Sequence, residues 1–86
     1  MKRPHAADIT AGVWYTDGQR YRLVSEVRGK YAGYYPAFRN GRGQLTLDPL
    51  LITTTKRAIA RWAYGGEVKD PVVLSRLEAL RERETA

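Results

Sequence analysis

Cysteine is absent from the 86 residues, and histidine occurs once, at His5. Without thiols the chain cannot form disulfides or thiolate metal sites, which fits a reducing compartment. A zinc site built on one imidazole would need carboxylates for its other ligands, and no carboxylate cluster has suitable spacing. No cofactor is implied. Long apolar runs are also missing: nothing approaches the roughly 18 residues of a membrane span. The opening MKRPHAADIT has basic residues but no apolar stretch behind them, so it does not read as a signal peptide. These absences point to a cytoplasmic protein without a membrane partner.

The means of catalysis are equally scarce. His5 falls in a segment without periodicity, where no base is held in fixed geometry. Ser25 and Ser75 have neither a neighbouring histidine nor a glycine-flanked elbow. Gly29-Lys30 lacks the upstream glycine of a phosphate-binding loop. Glu78, Glu82 and Glu84 read as the solvated side of a helix. The expectation is a protein that binds rather than an enzyme.

Positive charge is plentiful. The net charge is +6 and the isoelectric point near 10.0. Residues 1–43 hold eight Lys/Arg against three Asp/Glu, whereas residues 70–86 hold three against four. A basic first half favours an anionic partner, nucleic acid being the commonest.

The length suits one domain of the α+β class, 1–86. Residues 1–9 read as a mobile N-terminal arm. A β-meander of three or four antiparallel strands is expected over 12–52. Val13–Tyr15 and Gln19–Val27 form a hairpin closed by Asp17-Gly18, a pair suited to a type I′ turn. Alternation places Tyr21, Leu23, Ser25 and Val27 on one face of the second strand, opposite Arg20, Arg22 and Glu26, with Val24 out of pattern. Tyr31–Arg39 is a third strand, weakened by Gly33 and Pro36. Asn40-Gly41-Arg42-Gly43 turns into a short fourth strand that Asp48-Pro49 interrupts.

A helix is predicted over 53–64, capped by Thr53 or Thr54 and stopped by Gly65-Gly66, with Ala58, Ile59, Trp62 and Ala63 toward the sheet. Asp70-Pro71 opens a second, C-terminal amphipathic helix over 70–83 with the stripe Val73, Leu74, Leu77 and Leu80. That stripe has two possible packings, on the sheet or on a second copy as a homodimer.

Arg20, Arg22, Arg28, Lys30, Arg39 and Arg42 alternate along the meander with Tyr21, Tyr31, Tyr34, Tyr35 and Phe38. Guanidinium groups neutralise phosphates and reach base edges, and tyrosines stack on exposed bases. Packing alone also favours tyrosine in strands, so Tyr21, Tyr34 and Phe38 are assigned first to the core. Lys56, Arg57 and Arg61 form a second basic patch on the helix, either a solvated face or one surface with the sheet arginines.

The Gly-x-Trp-Tyr start, basic strands, aromatic strand with a glycine turn, and Thr-Thr-Lys-Arg-Ala-Ile-Ala-Arg-Trp-Ala run over residues 12–64 resemble the small DNA-binding domains of phage-type integrases and AP2-like proteins. The resemblance implies a three-stranded sheet backed by a helix, with the sheet in the major groove and Arg20, Arg22 and Arg39 as carriers. The chain departs from that pattern in the long Leu45–Ile52 segment and in its added last helix. Duplex DNA is thus the favoured partner. The rival is a host protein complex, such as a CRISPR effector or RNA polymerase, bound and inhibited by a phage-type protein. A fainter resemblance to an inhibitor of type I CRISPR complexes rests on the Thr-headed helix ending Trp62-Ala63-Tyr64-Gly65, and Arg and Tyr are enriched at protein interfaces.

Overall fold

A computed structural model describes residues 3–85. The protein is α+β, an antiparallel sheet with one helix on each face. Strands β1 (Trp14–Thr16), β2 (Tyr21–Arg28) and β3 (Tyr31–Arg39) form the meander, followed by β4 (Leu45–Leu47) and β5 (Ile52–Thr55). Helix α1 (Lys56–Trp62) leads through β6 (Gly66–Glu67) to helix α2 (Pro71–Thr85). The order is β4-β3-β2-β1-β6, with β5 also on β3. Thus β4 and β5 share one edge of β3, separated by the Asp48–Leu51 bend.

Alternation explains why both faces are covered. Tyr15, Val24, Ala32 and Tyr34 point to one side and pack with Ile59, Ala60 and Ala63 of α1. Trp14, Leu23, Ala37 and Leu47 point to the other and pack with Val68 and Leu77. Val24, out of pattern for a sheet with one wet face, fills the α1 core. Ile59 and Leu77 are fully buried, each contributing about 1.5–3 kcal/mol of hydrophobic stabilisation. Of its two packings, the α2 stripe takes the sheet: Val73, Leu74 and Leu80 surround the Leu77 cluster.

Several local expectations are corrected. A register shift between Val24 and Glu26 leaves Ser25 as a bulge, so Val27 joins the α1 core rather than the Leu23 face; an extra residue in one strand reverses every later side chain. The first hairpin is not a type I′ turn. Thr16 pairs with Tyr21 around four loop residues, and Gly18 has positive φ whereas Asp17 does not. The α1 cap is Thr55, whose hydroxyl accepts from the Ala58 amide at 3.1 Å, while Thr53 and Thr54 lie in β5. Ala60 is buried in place of Ala58. Asp70 caps α2 as expected, accepting from Val72 N at 2.9 Å. Within the segment read as an arm, Ala6–Asp8 forms a 3₁₀ turn and Ile9 is buried against the α1 core.

The two helices cover different ends of the sheet. Helix α2 lies over the Ala37–Leu47 end of one face. On the other face α1 lies over Ala32 and Tyr34, and Phe38 beyond them stays 37% exposed.

Candidate nucleic-acid interface

The α1 side collects most of the basic residues read from the sequence. Arg57 and Arg61 are exposed and one turn apart, opposite buried Ile59, Ala60 and Ala63, so both point outward. Lys56 starts the helix, and its amide donates to the Lys30 carbonyl at 2.9 Å, joining the β2–β3 turn to α1. Lys30, Lys56 and Arg57 line one shallow cleft of about 670 Å³ with Tyr31.

Arg22 is the cation of this side that lies between two aromatic rings. It pairs with Tyr15 and Pro36 across the sheet and reaches under the end of α1. Its guanidinium carbon lies 4.0 Å from the Trp62 ring centroid and 4.5 Å from that of Tyr34. Such contacts are favourable by about 0.5–2 kcal/mol each, depending on desolvation. Partial burial pushes its pKa down from the ordinary arginine value, opposed by Tyr34 and Asp17. Among the described residues Arg22 has no hydrogen-bond acceptor and no ion-pair partner, leaving its five N–H donors to solvent or a ligand.

Beyond Arg22, the uncovered end of the face carries Arg20 and Phe38. With Tyr21, Arg39 and the Gly18-Gln19 turn they line a second cleft of about 480 Å³. The carboxylates at this end are engaged locally. Asp17 accepts from the amides of Gln19 and Arg20 at 2.9 and 2.8 Å, and Asp48 from that of Leu50 at 2.9 Å.

Not every predicted residue joins this side. Arg28 follows the bulge onto the α2 side and pairs with Glu26 at 3.5 Å. Arg39, two residues beyond Ala37 of the α2 core, also emerges on the α2 side and donates to the Gly43 carbonyl at 3.0 Å. Arg22 and Arg39 therefore occupy opposite faces. Arg42 sits exposed in the β3–β4 turn.

Sequence reading missed three contributors. Trp62, counted as core, is the half-buried lid over Arg22. Arg76 and Arg83 join Arg39 around a groove of about 610 Å³ between β4 and α2. Their spacing of seven, two helical turns, was the available signal for a shared helix face. Compared with known protein families, curated proteins and solved structures, the chain matches none.

Proposed function

We propose that this protein binds nucleic acid, duplex DNA by preference, through its α1 side. The observation that carries the reading is Arg22, a half-buried cation held between two aromatic rings with its donors unpaired among the described residues. Removing a cation partly from water without an ion-pair partner is costly. A phosphate oxygen supplied from outside completes the arrangement. Arg57 and Arg61 above it, with Lys30 and Lys56 at the far end, add phosphate contacts along the same side. Arg20 and Phe38 flank a cleft suited to a sugar-phosphate edge. These phosphate and sugar contacts position the protein on the nucleic acid.

The test is binding of a short DNA duplex, a single strand and an RNA hairpin across a salt series. Each phosphate contact contributes roughly 0.9 to the slope of log K against log salt. Replacing Arg57 and Arg61 together by alanine lowers that slope by about 2. Absence of binding at low salt, or affinity indifferent to salt, refutes the proposal.

A further inference from the structure

The groove between β4 and α2 has a chemistry of its own. Leu45, Leu47 and Leu80 give it an apolar wall, and Arg39, Arg76 and Arg83 surround it. Arg76 and Arg83 are exposed and have no carboxylate partner among the described residues.

One wall is a strand edge. Asp48 N donates to Pro36 O and Asn40 N donates to Gln44 O, each at 2.9 Å. Phe38 pairs with Thr46 between them. Bonded and non-bonded pairs alternate in an antiparallel ladder, so Thr46 directs its amide and carbonyl toward β3. Leu45 and Leu47 direct theirs away, toward the groove side. Among the described residues no strand pairs with that edge. An open edge beside a core is a template for an added strand.

We propose that this groove takes an acidic, extended segment of a partner protein, added as a short strand centred on Leu45. Backbone hydrogen bonds to the edge fix its direction, and carboxylates on alternate residues meet Arg76 and Arg83. The strand edge favours a peptide over nucleic acid, because a phosphodiester backbone has no alternating amide donors to match it. Arg76 and Arg83 lie outside the nucleic-acid interface proposed above, so either proposal can fail without the other.

The experiment titrates the isotopically labelled full chain with a terminally blocked hexapeptide alternating glutamate and valine, following backbone amide shifts. Leu45 and Leu47 shift on addition. The double variant Arg76→Glu, Arg83→Glu binds at least about tenfold more weakly, whereas Arg57→Ala, Arg61→Ala binds the peptide as the parent does. The same hexapeptide N-methylated at the residues facing Leu45 and Leu47 loses binding, a result that needs no protein variant. Equal affinity for the N-methylated peptide overturns the proposal. So do Leu45 and Leu47 shifts caused by a DNA duplex and not the peptide, or by raised protein concentration alone.

Discussion

The Arg22 guanidinium stacks on the Trp62 ring at 4.0 Å, joining the second strand to the last residue of α1. Two opposing effects meet there: ring contact stabilises the cation, and partial burial destabilises it. Replacing Arg22 with methionine keeps the stem and packing but removes the charge. Folding stability then stays within about 1 kcal/mol of the parent, because lost cation–π attraction and relieved desolvation nearly cancel. Affinity for duplex DNA falls by about 1–3 kcal/mol, the cost of losing a charge-assisted contact. Chemical denaturation and binding at fixed salt measure the two separately. A large stability loss with unchanged DNA affinity assigns Arg22 to the fold alone.

Close backbone approach makes a second prediction at the α1–β6 junction. A Cβ added at Gly65 would stand 2.8 Å from Thr16 Cγ2 and 3.2 Å from Thr16 O. The Gly65 amide also donates to that carbonyl at 2.9 Å, so the contact cannot open without losing a hydrogen bond. Gly65→Ala therefore destabilises by about 1–3 kcal/mol, the range for overpacking. Thr16→Ser removes the offending methyl and recovers part of the loss in the double variant. A denaturant cycle over the four proteins checks this, and simple additivity refutes the steric cause.

The third prediction concerns how α2 is held. Trp14, 2% exposed, donates its indole N–H to Glu78 at 3.1 Å across the α2 interface, and Leu77 beside it is fully buried. Leu77→Ala opens a cavity under the helix and costs about 2–5 kcal/mol. Glu78→Ala leaves the indole donor unpaired and costs about 1–2 kcal/mol. Thermal melts followed by tryptophan fluorescence report both. The larger effect belongs to Leu77; the reverse order would mean that the hydrogen bond, not packing, docks the helix.

Periodicity revealed what local patterns encode. Tyr31–Arg39 is a strand at the bounds read from the sequence, and the Val73–Leu80 stripe faces the core. Features set by long-range pairing were not legible. Strand β6 is two residues beginning at a glycine, and it exists because β1 offers an open edge. The bulge at Ser25 has no composition of its own, yet it moved Arg28 off the side that carries Arg22. The stripe of α2 left its two packings open, and Val24, apolar on the side opposite Leu23, was the available sign that both faces of the sheet are covered. Trp62 was readable as apolar, but its role over Arg22 depends on where α1 crosses β2. Arg76 and Arg83 gain meaning only where α2 meets β4.

The Asp17 turn supplies the last prediction, a pH dependence. Its carboxylate lies below the ordinary value of 3.8: burial alone would raise it, but the amides of Arg20 and Gln19 outweigh that, helped by the charge of Arg20. A carboxyl depressed on folding stabilises the native state above its unfolded value, and that contribution disappears as pH falls through the folded value. Asp17→Ala therefore costs about 1 kcal/mol near neutrality, where two amides lose an acceptor in a largely solvated loop. The difference from the parent closes as pH drops through and below 3.8. Asp17→Asn keeps the side-chain oxygen but not the charge, so it loses less than alanine at neutral pH. Denaturation midpoints at pH 7, 5, 4 and 3 trace the effect. A gap between Asp17→Ala and the parent that stays constant over this range would place the contribution in the turn's shape and not in its ionised carboxylate.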